Sequence, residues 1–508
     1  MLLALAAVSL LALALAGSSA AGTPGGVGCA ADGQINGGGA TLQVAAQQIW
    51  IQGYTSDICG NVGPGTTLAN GVTNNTAVLY NGTNTLADPP QTLMTPNGSG
   101  AGREGISCRA WPFGGSDTPY SESGATGLPN LNGNPGAAGN PGGVWWSPGP
   151  ATECPNSVDG TPNAWSTYQN PFYGSAGGYP TLGTSAATGD QPAQLMNFPV
   201  IGTAVAVGAY FAGTAGCPAS PQITAAQLSG LFSGQTTNWS QLGGSGGGPT
   251  DFHLCNLTVT RVVRSDSSGT TQNFKNYLAA VAPSDSCSTA TAGTGGWSAL
   301  ATNANNTLWP TGGSCTTLTR GHISGNLGVL DNCTGSNGQP AVVGSICYAD
   351  LPDFENLHYQ GVSGFDTVQL PAAVGGAFVK PFQASRANCD YSSVATPASS
   401  NNGAVGLDPS DNWGLDQVSP PSHANVAFQG TGWPACAMTW DLVYVGTSQT
   451  SSATTQPIRA LNDDMRRTLY SYMLYILGAG NSLPKSDYYQ TLPQGLLNSE
   501  IAGFKANY

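Results

Sequence analysis

Runs of β-branched or continuously apolar residues recur along the chain, and most lead through a glycine- and hydroxyl-rich turn into apolar positions at helical spacing. Leu257–Val263 is rich in β-branched residues and predicts a buried strand. Phe274, Tyr277, Leu278 and Val281 then fall on one face of a helix that begins near Thr271. Gln34–Leu42 repeats the pattern as strand, glycine turn and polar cap, with Val44, Gln47, Ile51 and Tyr54 keeping helical spacing after it. Phe198–Phe211 is a continuous apolar run of the buried-strand kind, and Thr224 caps a short helix that closes at Phe232-Ser-Gly234. Val342–Tyr348 and Trp440–Tyr444 predict further strands, and Ala460–Leu477 is the clearest amphipathic helix. Strands alternating with helices imply an α/β fold with a mainly parallel sheet. No solenoid period is present.

Between these elements lie long irregular tracts. Asn61–Pro90 reads as a surface insertion, and residues 118–192, dominated by Gly, Pro, Asn and Ser, read as a long irregular excursion partly pinned by Cys154 and aromatics such as Trp145 and Trp146. Residues 395–430 form a polar, linker-like tract. Composition agrees: 72 Gly and 35 Pro in 508 residues, with only 8% charged. The length allows two or three domains.

Met1–Ala16 is apolar and ends in small residues, which predicts a signal peptide over 1–21 cut near Ala20–Gly22. No Lys or Arg precedes the run, which implies either a start further upstream or an atypical peptide; no Cys follows Gly17, so a lipoprotein anchor is not encoded there. The run is short for a membrane span, which needs about 20 residues. In an exported chain the 12 cysteines predict up to six disulfides, and with no Cys-x-x-Cys pair and only four histidines a metal site is not expected. Asn-x-Ser/Thr sequons stand at Asn74, Asn81, Asn97, Asn238, Asn256, Asn305 and Asn332, and matter only in a eukaryotic source.

The net charge of −13 argues against nucleic acid or an anionic membrane as partner. It does not argue against a small buried anion, because salt screens the distant field beyond about 8–10 Å.

The candidate chemistry sits at the turns. Arg264-Ser-Asp-Ser-Ser-Gly-Thr270 puts a cation, hydroxyls and a glycine at a helix start, where backbone N–H groups have no intrahelical partner. That combination suits a small oxyanion, although Ser268 or Thr270 also reads as an ordinary cap serving only its own backbone. Thr41, Ser99 and Asp117 fall in further glycine/hydroxyl turns, and in open α/β sheets such turns gather at the strand carboxyl ends. Gly100, Gly102 and Gly105 spell G-x-G-x-x-G, but the preceding strand is poor and no acidic residue follows about 20 positions on, so a dinucleotide site is not expected.

The ordered series Gly-Gly-Gly39-Ala-Thr41, Gly98-Ser-Gly-Ala-Gly102, Phe113-Gly-Gly-Ser-Asp117, Phe198-Pro-Val-Ile-Gly202, Thr224 to Asn238-Trp239, and Arg264 to Thr270 resembles the phosphate-binding protein (PstS) family. These are exported receptors of phosphate ABC transporters with the type II periplasmic-binding-protein fold. The resemblance runs from about residue 34 to the C-terminus and implies two lobes with a hinge and an interlobe cleft. Lobe one is expected from 22–202 plus 431–508, including the 118–192 insertion, and lobe two from 203–430. The chain would cross between them near Pro199–Gly202 and Thr431–Trp440.

The resemblance further implies the phosphate ligands. Thr41 would donate hydroxyl and N–H, Leu42 its N–H, and Ser99 both again. Asp117 would accept a hydrogen bond from the ligand, Arg264 would supply charge, and Ser268, Gly269 and Thr270 would close the shell. Leu42 stands where the family usually has an aromatic, and Ser267 where it usually has glycine. The expected ligand is hydrogen phosphate, with an ABC permease as possible partner, no cofactor and a monomeric state. Competing readings are a secreted phosphatase-like protein and a cell-surface protein that kept the fold. No histidine cluster, dense carboxylate set or G-x-S-x-G elbow favours an enzyme.

Overall fold

One strand of 17 residues, Gln194–Tyr210, runs through the middle of the molecule and joins its two halves. It belongs to a computed structural model that describes residues 35–59, 78–80, 98–99, 102, 112–117, 194–245, 247–282, 287–288, 291, 295–301, 306–311, 315, 318–336, 338–356, 362–373, 375–391, 430–445 and 463–507. The expected signal peptide, the 118–192 excursion, most of 61–90, the sequons at Asn74, Asn81, Asn97 and Asn305, and nearly all of 395–430 lie outside those residues.

Taken in order, β1 is Ile35–Gly39, α1 Val44–Cys59, β2 Val78–Tyr80, β3 Phe113–Ser116 and β4 the long strand Gln194–Tyr210. Then come α2 Ala225–Ser233, β5 Thr260–Arg264, α3 Gly269–Val281, β6 Leu318–Ile323 and α4 Gly325–Thr334. The last are β7 Ser345–Asp350, β8 Phe365–Thr367, β9 Cys436–Val445, α5 Asp463–Leu477, β10 Tyr489–Gln490 and α6 Gln494–Asn507. Among the described residues, ten strands form one sheet in the order β2-β1-β3-β9-β4-β7-β5-β6, with β8 and β10 also paired to β4.

Sequence chemistry accounts for the element ends. Thr224 caps α2 in a reciprocal box with Gln227, and Gly234 closes the helix in the left-handed region at φ 90°. Ser268 caps α3 through a 3.2 Å bond from the Thr271 N–H. The predicted strand at Val342 begins only at Ser345, because Gly344 turns at φ 91°. Likewise the strand predicted from Leu257 begins at Thr260 and runs on to Arg264.

The sheet is mixed, which corrects the expectation of a mainly parallel one. β1 pairs in parallel with β2 and β3, and β5 with β6 and β7. The central β4 and β9, however, run antiparallel to each other and to their neighbours β7 and β3. The apolar run through Phe198, Val200, Ile201 and Ala204–Val207 reports burial on both faces of a central strand, all of these being at most 1% exposed. That pattern carries no information on strand direction. From Gln194 to Ala204, β4 pairs with β9, and from Val205 to Tyr210 it pairs with β7. The β1–β3 and β5–β7 halves therefore share one continuous strand.

Four disulfides, Cys217–Cys255, Cys287–Cys315, Cys333–Cys347 and Cys389–Cys436, join described segments. Of the remaining cysteines, Cys29, Cys108 and Cys154 lie outside the described residues, and Cys59 ends α1. Among the described residues no helix is long and apolar enough to cross a membrane, and no cluster of His, Cys, Asp and Glu stands ready for a metal.

Candidate functional site

The turns at the ends of β1, β3 and β5 meet at one place. Backbone approach makes this possible. Gly39, at φ 134°, and Gly102 pack against the Gly115 carbonyl, where a Cβ on either would collide with backbone. Gly102 thus serves close chain packing, while Gly100 and Gly105 lie outside the described residues. Gly98 lies beside the β5–α3 turn, and a Cβ there would stand 3.6 Å from Arg264 Nη2.

Arg264 is 1% exposed and its guanidinium is fully engaged on one side. Nε donates to Asp266 Oδ1 at 2.8 Å and Nη2 to Asp266 Oδ2, a bidentate ion pair. Nη1 donates to Thr41 Oγ1 at 3.0 Å and to Asn326 Oδ1 at 3.2 Å. Burial by itself pulls the guanidinium pKa down, but the charge of Asp266 and its hydrogen bonds outweigh that and leave it above the ordinary value. A lasting positive charge is therefore held in a dry place.

Thr41 and Leu42 open a short 3₁₀ turn, both buried. Their N–H groups precede the first internal bond, from the Gln43 N–H to the Ala40 carbonyl. The Leu42 side chain enters the core and its carbonyl accepts from Tyr489 Oη at 2.7 Å, so the turn is held from behind. Ser99 donates its hydroxyl to Asp117 Oδ2 at 2.9 Å and accepts from the Asp117 N–H at 3.0 Å. Its one hydroxyl hydrogen is thus given to Asp117 and not held out to a ligand, a pairing the sequence did not foresee, so in this arrangement Ser99 meets an anion through its backbone N–H.

Across from them, Gly269 packs directly on Ser99 and Asp117, with a Cβ there falling 2.5 Å from Asp117 Cβ. The N–H groups of Gly269 and Thr270 come before the first intrahelical bond of α3, from Gln272 N–H to the Ser268 carbonyl. Ser268 Oγ accepts from Thr271, which leaves its own proton free to donate. Thr270 is fully buried and its Oγ1 has no hydrogen-bond partner among the described residues.

A third layer fixes the turn. Lys275 on α3 donates to the carbonyls of Asn306 at 2.6 Å and Leu308 at 2.5 Å. Burial, then the charge of Arg261, pushes its pKa well below the ordinary lysine value. The segment so anchored reaches back, Asn306 Nδ2 to the Ser268 carbonyl at 3.3 Å and Trp309 Nε1 to the Arg264 carbonyl at 3.4 Å.

All eight sequence-predicted residues therefore stand in this one neighbourhood or on the turns that form it. Comparison with known proteins gives the architecture its place. Residues 186–339 match the family model described as a PBP superfamily domain. A high-affinity periplasmic phosphate-binding protein (PfluDING), solved with phosphate bound, superposes with a TM-score of 0.51 at 18% identity, covering 92% of this chain and 93% of that one. A phosphate-binding protein from Stenotrophomonas maltophilia gives 0.51 at 15% identity with the same coverage. The chain has the periplasmic-binding-protein fold. A search of curated proteins finds no match to the sequence.

Within this fold three partners escaped sequence reasoning. Asp266 was visible inside the Arg264–Thr270 string, but nothing local announced it as the guanidinium's partner. Asn326 and Asp350, both buried, approach Thr41 and Arg264 from α4 and the end of β7. A signal existed for Asn326: Ile323-Ser-Gly-Asn326 is one more strand, glycine and helix junction.

Proposed function

We propose that this chain is an exported solute-binding protein that takes inorganic phosphate, as hydrogen phosphate, into the cleft at the β1, β3 and β5 turns. The observation that carries the reading is the meeting of a buried, ion-paired arginine with hydroxyl- and N–H-bearing turns, Arg264 Nη1 on Thr41 and Gly269 against Ser99 and Asp117. Thr41, Leu42, Ser99, Asp117, Arg264, Ser268, Gly269 and Thr270 are the proposed ligands. The phosphate carried by the superposing PfluDING protein supports the choice of anion.

The electrostatics fit a tetrahedral anion that still carries a proton. Asp266 neutralises most of the Arg264 charge, so the site attracts chiefly through oriented N–H and O–H dipoles and the α3 N-terminus. Those donors replace the ligand's water without several buried cations. Asp117 only accepts when ionised, so it suits the P–OH hydrogen of hydrogen phosphate. Sulfate carries no such proton at neutral pH and would set two acceptors face to face. Such a mismatch costs at least about 1–3 kcal/mol, more for charged groups, and sites of this kind reject the analogue by roughly 10⁴-fold or more.

The lobes are proposed as 22–202 plus 431–508 and 203–430, closing about the crossings of β4 and β9. Delivery to an ABC permease is the corresponding role. Calorimetric titration of the mature chain with phosphate, then with sulfate, tests the reading. One-to-one phosphate binding with little sulfate response is expected, and equal binding of both anions refutes it.

A further inference from the structure

Asn326 is fully buried at the start of α4 and touches residues from both halves of the sheet. Its Oδ1 accepts from Arg264 Nη1 at 3.2 Å. Its Nδ2 donates to Thr41 Oγ1 at 3.3 Å and to Asp350 Oδ2. The amide can sit only one way round. An arginine N–H needs an acceptor, so the carbonyl oxygen must face Arg264; rotating the amide would set donor against donor there. Asp350 is itself fixed, accepting from the Asp353 N–H at 3.0 Å.

This orientation has a consequence for Thr41. Its hydroxyl oxygen receives two hydrogens, from Arg264 Nη1 at 3.0 Å and from Asn326 Nδ2 at 3.3 Å. A hydroxyl has two acceptor positions and one hydrogen to give. With both acceptor positions taken, the Thr41 hydrogen is directed away from Arg264 and Asn326, and Thr41 can meet a ligand only as a donor. We infer that Asn326, oriented by Asp350, is a positioning residue for phosphate that makes Thr41 an obligate donor and ties it to Arg264 across the cleft. The inference rests on the phosphate reading above. It adds a residue pair that touches the liganding side chains and not the reacting or bound atoms.

The predicted signature is non-additivity. If Asn326 acts through the Thr41 hydroxyl, Asn326→Ala weakens phosphate binding by about tenfold with Thr41 present, and by less than about threefold in the Thr41→Val background. Thr41→Ser keeps the hydroxyl and should keep the full effect. A purely structural role for Asn326 gives the same loss in every background. Calorimetric phosphate titration of the four proteins of the cycle, with thermal melts to confirm folding, provides the readout. Should Asn326→Ala fail to fold, the near-isosteric and uncharged Asn326→Leu fills the same space, removes the Nδ2 donors without adding charge beside the anion, and should show the same dependence on Thr41. Equal losses with and without the Thr41 hydroxyl overturn the inference while leaving phosphate binding intact. A wild-type chain that takes up no phosphate overturns the binding reading and this inference with it.

Discussion

Thr41 and Arg264, 223 positions apart in sequence, meet through one hydrogen bond of 3.0 Å from the guanidinium Nη1 to the threonine hydroxyl. The bond joins the turn after β1 to the end of β5, one from each half of the sheet. It makes the arginine both a source of charge and a tie across the cleft, and these two roles separate under mutation.

Arg264→Ala should weaken phosphate binding by at least about 30-fold, since truncating one partner of a buried, hydrogen-bonded charge pair costs about 2–5 kcal/mol. It should also lower stability, because Asp266, only 7% exposed, is left without its counter-charge. Adding Asp266→Ala should restore much of the stability and none of the binding. Titration calorimetry and thermal melts on the two variants separate the effects. Wild-type affinity in Arg264→Ala would mean the anion sits elsewhere.

Asp117→Asn tests the origin of anion choice. The carboxylate accepts from the Ser99 hydroxyl at 2.9 Å and lies against Gly269. An amide in its place offers a donor, so sulfate no longer meets acceptor against acceptor. The phosphate-to-sulfate affinity ratio should fall by at least about tenfold, mostly through gained sulfate binding. Competition titrations with both anions measure that ratio, and an unchanged ratio would remove Asp117 from the selectivity account.

Asp441, on β9, is fully buried and accepts from Gln43 Nε2 at 2.7 Å and Gln47 Nε2 at 3.1 Å. Burial raises its pKa from 3.8 to about 7 against the lowering effect of those two amides. A group whose folded pKa is raised gives stability that is complete below its unfolded pKa and is lost as pH climbs through the folded one. The chain should therefore lose stability between about pH 4 and pH 7, by up to about 4 kcal/mol from this residue at roughly 1.4 kcal/mol per unit. Asp441→Asn should flatten that part of the profile, as read from urea unfolding midpoints across the same pH range. A profile as steep in the variant as in the wild type would place the titration on other buried acids, such as Glu500.

What could be read from sequence was whatever is local. The Arg264–Thr270 turn carries its chemistry in seven consecutive residues, and the flanking strand and helix follow from β-branched and amphipathic spacing. Thr41, Ser99 and Asp117 were reachable because each sits in a glycine turn of the same kind. The direction of β4 was not, since an apolar run records burial alone. Nor was the Asp350–Asn326–Thr41 chain of hydrogen bonds, because its three members come from β7, α4 and the β1 turn and have no shared spacing. Partners fixed only by long-range packing leave no periodic trace.

Thr270 separates a liganding role from a structural one most sharply. Its side chain is fully buried and its hydroxyl has no hydrogen-bond partner among the described residues, so as a structural element it is a defect. An unsatisfied buried hydroxyl costs about 1–3 kcal/mol, and valine fills the same shape with a similar helix preference. Without phosphate, Thr270→Val should thus be as stable as the wild type or more so, by about 1 kcal/mol. If the hydroxyl is there for the anion, the same change should weaken phosphate binding by about 10- to 150-fold, the loss of one hydrogen bond to a charged group. Thermal melts in phosphate-free buffer and a phosphate titration of the same preparation decide it. A gain in stability with unchanged affinity would show that the Thr270 hydroxyl does not reach the ligand, whereas opposite movements of the two quantities are what a binding group held in reserve requires.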